Sequence, residues 1–142
     1  MNRPEAIKLL ALIKVAYPAS YRDMDEESLN ATVTMWAHTF PSTPYVIMEM
    51  AFERHRRKSK FPPTVAEMIE ELKGIHFKAM GDAVTYSSLG GSNAKLIEKC
   101  RWVADHTSVF ARDYSGELWY DTVTDNMLMG GDRKRIGGGI DG

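Results

Sequence analysis

The sequence predicts an all-α fold, a small helical bundle, on two observations. Through residues 3–74 apolar side chains recur every three or four positions, the spacing of one helix face. Residues that start and stop helices stand at the ends of those periodic runs.

The first helix opens where Asn2 or Arg3 leads into Pro4, a residue suited to a first helical turn because its missing N–H would find no partner there. Ile7, Leu10, Ile13 and Tyr17, with Leu9, Leu12 and Ala16 beside them, form its apolar face, and Pro18 stops it. Asp23 or Asp25 caps the second helix, with Glu26 and Glu27 in a first turn whose dipole favours negative charge. Leu29, Val33, Trp36 and Phe40 then mark its buried side. The PSTP segment closes that helix and opens a third, with Ser42 or Thr43 as cap and Pro44 first in the helix. Tyr45, Met48 and Phe52 carry its inner face alongside Ile47 and Ala51.

The FPPT corner follows. Phe61 and Pro62 both precede prolines, which drives them out of helical geometry. Thr64 and Glu67 have the spacing of a capping box for a fourth helix, with Val65, Met68, Ile69 and Leu72 inside and Gly74 as its left-handed end.

Beyond residue 74 the signals thin. A further short helix fits residues 75–89, SSLGGSN reads as a loop or hinge, and Asn93 caps a helix to about residue 106 with Leu96, Ile97, Cys100, Val103 and Ala104 on its inner side. VFARDYSGELWYDTV, residues 109–123, has the β-formers and central turn of a hairpin, although extending the preceding helix to Arg112 is equally simple. The glycine-rich end buries almost nothing and predicts a flexible tail. The expected division is a four-helix domain at 1–74, an extension at 75–125 and a tail at 126–142.

Composition narrows the function. A net charge of -1 makes the chain no polycation, so any polyanion contact must be local. The single cysteine, Cys100, forms no internal disulfide and no cysteine-based zinc site, and fits a reducing cytoplasm. No apolar run spans a bilayer, and Glu5, Lys8 and Lys14 interrupt what could pass for a signal peptide. His38, His55, His76 and His106 form no ligand pair and read as surface or cap-region residues, so no metal or cofactor is expected. No phosphate loop or nucleophile motif appears, and the carboxylate clusters sit in or near first turns, so catalysis is not expected. Met48 and Met68 lie on core stripes.

Two candidate contact surfaces remain. Arg54, Arg56, Arg57, Lys58 and Lys60 surround one acid, Glu53, giving a local charge of +4 at a helix end. Cations there complement the helix dipole without any ligand, and the alternative is contact with nucleic acid or an acidic partner. The second is the tail, where Met127, Leu128 and Met129 make a small apolar patch before Arg133, Lys134, Arg135 and Ile136.

Several of these features occur together: a first helix ending in AYP, a second with Trp36 at its middle, a third ending in arginine and lysine, then KFPPT (Lys60 to Thr64) and a helix opening Val65-Ala66-Glu67. In this combination, over about residues 1–74, the chain resembles the phage loaders and inhibitors of the replicative helicase. The resemblance implies a non-enzymatic adaptor with a helical N-terminal domain. Such an adaptor binds the hexameric helicase through its C-terminal segment, restrains ATP hydrolysis and unwinding, and delivers the ring to an initiator at the phage origin. Residues 75–142 do not align with that family position by position, so no helicase-contact residue transfers. The competing reading is a small nucleic-acid-binding regulator acting through residues 54–60.

Overall fold

The computed structural model describes residues 1–115, with side chains through residue 111. Six helices and no strand occur among the described residues: α1 (Arg3–Ala16), α2 (Pro18–Tyr21), α3 (Glu26–Thr39), α4 (Tyr45–Arg56), α5 (Val65–Leu89) and α6 (Ala94–Ser115). Met1–Thr107 make one compact unit, and a second begins at Ser108, inside α6.

Local chemistry explains most boundaries. Asn2 and Glu5 form a reciprocal capping box on α1, as do Thr64 and Glu67 on α5, each satisfying two backbone N–H groups that the first turn would leave unpaired. The Asp25 carboxylate accepts from Ser28 N–H at 2.8 Å and starts α3. Pro18 stops α1 as expected but also begins the four-residue α2, which periodicity cannot reveal at that length.

At α4 the expected cap is corrected. Pro44 itself occupies the cap position without a side-chain bond, while Thr43 is buried and its carbonyl accepts from the Met1 amino group at 2.6 Å. The same ammonium donates to the Phe40 carbonyl, so Met1 is pinned in the α3–α4 turn.

The core follows the predicted stripes. Leu9, Leu10 and Ile13 of α1 meet Val33, Trp36 and Phe40 on the α3 side and Ile47, Met48, Ala51 and Phe52 on α4, with α4 in turn packed on α5 through Met68 and Leu72. Truncating Ile13 or Leu72, both at 0% exposure, would cost about 2–5 kcal/mol through lost transfer energy and the cavity left behind. Ile7 and Leu12 fall outside this face and are exposed.

Two larger corrections lie beyond residue 73. Gly74 does not end a helix, because α5 runs through it for 25 residues to Leu89. The loop is correspondingly short, and Gly90 and Gly91 adopt the positive φ angles, +74° and +77°, that reverse the chain. Asn93 then starts α6, its carbonyl accepting from Ile97 N–H at 3.0 Å. The hairpin beginning at Val109 is overturned for its first strand: α6 continues through Ser115, past the alternative end at Arg112. Once a helix has nucleated, each added residue needs no new nucleus, and this outweighs the modest β-propensity of Val109, Phe110 and Tyr114. Residues 116–123 of that hairpin and the predicted tail lie outside the described residues.

Candidate protein-binding groove and basic helix end

The α4–α5 corner is held by side chains from three elements. Tyr17, at the end of α1, donates its hydroxyl to the Ser59 carbonyl at 2.9 Å and sets its ring edge-on to Phe52 at 6.4 Å. His55, buried in the last turn of α4, donates from Nε2 to the Phe61 carbonyl at 2.8 Å. The Ser59 hydroxyl accepts from Phe61 N–H at 3.1 Å. These bonds satisfy backbone groups that the prolines leave without helical partners. His55 is thus a structural residue of the corner rather than a surface histidine. His76 is likewise buried, with Nδ1 2.9 Å from the Ala104 carbonyl of α6 and 3.1 Å from the Thr107 hydroxyl. Of the expected surface or cap-region positions, His55 does fall in the cap region of α4 although it is buried, whereas His76 is corrected to a buried mid-helix residue placed by partners on α6.

Three of the five cations of the basic run are paired within the fold. Glu71 of α5, its side chain only 6% exposed, receives Arg54 at 3.1 Å and Lys58 at 2.8 Å. Arg56 pairs with Glu53 at 2.8 Å on the surface. Arg57 and Lys60 make no ion pair among the described residues and are exposed. The Arg54 side chain reaches Glu71 across the backbone of Gly74, where an added Cβ would lie 2.5 Å from Nη2. Gly74 therefore provides clearance in mid-helix. The sequence held half of this signal, a glycine three residues after an acid, but the arginine passing over it is a long-range feature.

On one side of this clamp, α4, α5 and α6 enclose a groove of about 670 Å³. Ile75 and Ala79 of α5, Val46 and Met50 of α4, and Leu96, Cys100 and Val103 of α6 line it. Charged side chains line it as well: Glu49, Glu53 and Arg54 from α4, Arg57 directly after it, Lys99 from α6, and the Lys78–Asp82 pair of α5 at 2.9 Å. Leu96, expected on the inner side of α6, instead stands half-exposed at the groove. Met127, Leu128, Met129, Arg133, Lys134, Arg135 and Ile136 lie outside the described residues. No group of three or more potential metal ligands occurs among the described residues.

Residues 1–69 match the family model described as the gene thirty-nine protein, N-terminal domain. Over this segment, just under half of the chain, the match is to the phage helicase loader and inhibitor family. No curated protein and no solved structure matches the chain.

Proteins of this family are regulators rather than catalysts. The matched segment takes in α1 to α4, the proline corner and the first turn of α5. Tyr17, Ser59, His55 and the whole basic run lie inside it, whereas Glu71 and Gly74 follow it immediately. The groove straddles its limit, one wall being α4 of the loader domain and the other two coming from residues beyond 69. No described helix is long and apolar enough to cross a membrane.

Proposed function

We propose that this chain is a phage DNA-replication adaptor that binds the hexameric replicative helicase, inhibits its ATPase and unwinding activities, and helps load it at the origin. The observation that carries this reading is the match of residues 1–69 to the N-terminal domain of the helicase loader and inhibitor family. A regulator of this kind acts through surfaces, and one is available: an open, mainly apolar groove, lined also by charged side chains, beside a rigid corner. A ring of identical subunits would also multiply individually weak contacts, which suits a loader that must later release its cargo. The origin-bound initiator is the expected second partner. Residues 127–129 and 133–136 are proposed as a further helicase-contact segment.

The pairing of Arg54, Arg56 and Lys58 with acids weighs against the rival nucleic-acid reading. It leaves Arg57 and Lys60 as the cations available to phosphates, too few for tight salt-dependent binding.

The test is a pull-down with the purified replicative helicase of the phage or its host, coupled to measurement of the ATPase rate. Binding at micromolar concentration with a reduced ATPase rate is expected, and absence of binding refutes the reading. Truncation after Leu128 separates the tail assignment from the function: binding that survives it unchanged removes the tail alone.

A further inference from the structure

We infer that the outward face of the distal half of α5 pairs with the same face of a second copy of this chain, the two helices running antiparallel about a two-fold axis. The surface is separate from the groove, and the inference does not rest on the adaptor reading.

The distal half of α5 is apolar on two sides. Ile75 and Ala79 are buried on one, while Phe77, Met80 and Val84 on the other are 53%, 49% and 70% exposed. Their spacing of i, i+3 and i+7 makes the exposed three a continuous stripe, and Gly81 stands within it. A Cβ added at Gly81 would meet nothing within 4 Å, so the backbone lies bare at the middle of the stripe. A helix that is apolar on both sides is ordinarily covered on both.

The stripe is complementary to itself. When two such helices cross antiparallel with the axis between Met80 and Gly81, Phe77 faces the partner's Val84 and Met80 fills the space over the partner's Gly81. A two-fold axis makes each of these contacts twice.

The ends match in charge. The same crossing carries Lys73 to the last turn of the partner's α5, beside Ser88. That turn has no basic residue, and carbonyls at a helix end carry partial negative charge without helical partners. The Asn93 side chain meets the Tyr86 carbonyl at 3.3 Å, and the incoming ammonium serves those that follow.

These matches fix the register. Slid one turn one way, Lys73 lies against the partner's Val84, which desolvates a charge on an apolar side chain. Slid one turn the other way, Phe77 faces the partner's Ser88 and loses its apolar contact. The interface is also short. A stable dimer buries about 800 Å² per partner, more than three side chains supply, so a dissociation constant on the order of 100 µM is expected.

The experiment is sedimentation equilibrium of the full chain up to about 1 mM, where reversible monomer–dimer association is expected. Val84→Glu, at an exposed position, is expected to weaken association about tenfold or more while leaving the helical circular-dichroism spectrum unchanged. Gly81→Leu enlarges the apolar stripe at a site open in the monomer, yet it blocks the approach of Met80. It is expected to weaken association, whereas indiscriminate apolar sticking would be strengthened. Lys73→Glu is expected to weaken association more at low salt than at high salt. Spin labels on Ser88→Cys in a Cys100→Ser chain are expected about 25 Å apart in the dimer, against about 10 Å in a parallel pair. A chain that stays monomeric overturns the pairing, whether its own residues 116–142 or another protein covers the stripe. Association strengthened by Gly81→Leu, unchanged by Val84→Glu, or with the labels at the parallel distance overturns it equally.

Discussion

The Tyr17 hydroxyl and the Ser59 carbonyl, 42 residues apart in sequence, are joined by a 2.9 Å hydrogen bond that fastens the end of α1 to the segment leading into the proline corner. Tyr17 is the tyrosine of AYP, and Ser59 immediately precedes KFPPT. Two short motifs inside the family-matched segment are therefore halves of one contact. The first supplies a donor from a buried side chain at the end of α1, and the second presents a backbone acceptor where no helix can satisfy it.

Removing that donor has a measurable cost. Tyr17→Phe is expected to lower stability by about 1–2 kcal/mol in chemical denaturation, because the ring keeps its place against Phe52 while the partly buried carbonyl loses its partner. Tyr45→Phe is the control. The Tyr45 hydroxyl is buried without a hydrogen-bond partner among the described residues, so deleting it should leave stability unchanged or raise it by up to about 1 kcal/mol.

Gly74 and Arg54 should behave as a coupled pair. Gly74→Ala gains about 1 kcal/mol of helix propensity, but its methyl group displaces the guanidinium and loosens the bond to Glu71. The single substitution is expected to be near neutral, while the same change in an Arg54→Ala background stabilises by about 1 kcal/mol. A double-mutant cycle by thermal or urea unfolding measures the difference. Additive effects would show that the arginine does not cross the glycine.

Glu71 and Glu53 both bind cations of the basic run, yet their worth should differ. Glu71→Gln removes the charge that two cations share in a largely dry position, and a loss of about 1–2 kcal/mol is expected. Glu53→Gln breaks an exposed pair and should change stability by less than about 0.5 kcal/mol. Equal effects in urea unfolding would mean that Glu71 is no more engaged than a surface residue.

Acid should fray two helix starts. The backbone N–H of Ser28 holds the Asp25 carboxyl below its ordinary value of 3.8, and that of Thr64 holds Glu67 below 4.5. Because both pKa values are depressed in the folded state, the stabilisation is complete above those ordinary values and is lost as pH falls through them toward the lower folded ones. Amide exchange at the first turns of α3 and α5 should therefore accelerate between about pH 5 and pH 3, after correction for intrinsic rates. Asp25→Asn keeps a capping oxygen that does not titrate, and should abolish the acceleration at α3 alone.

The features legible in the sequence were those carried by near neighbours. The Asp25 and Thr64 caps, the Trp36 stripe and the Met48 and Met68 core positions all follow from residues within one or two helical turns. What escaped depends on distant partners. Gly74 has the local signature of a helix end, and only the passage of Arg54 shows that it serves as clearance. His55 and His76 are polar in composition and buried in fact, because the Phe61 carbonyl in one case and the Ala104 carbonyl in the other meet their ring nitrogens. The groove was invisible for the same reason. Periodicity assigned Leu96 to the inside of α6 but could not tell that it is left half-exposed at a groove shared with α4 and α5.

The unbroken course of α5 has a mechanical consequence. From Thr64 to Leu89 it is a single rod of about 37 Å at 1.5 Å per residue, anchored at one end by the proline corner. The azimuth of its distal half is therefore indexed to that anchor. Inserting one alanine after Asp82 would swing Tyr86 and everything beyond it by about 100° and carry α6 out of alignment with α4, with the anchor untouched. The helix acts as a ruler, and its length in residues is as much a determinant of the assembled surface as any side chain upon it.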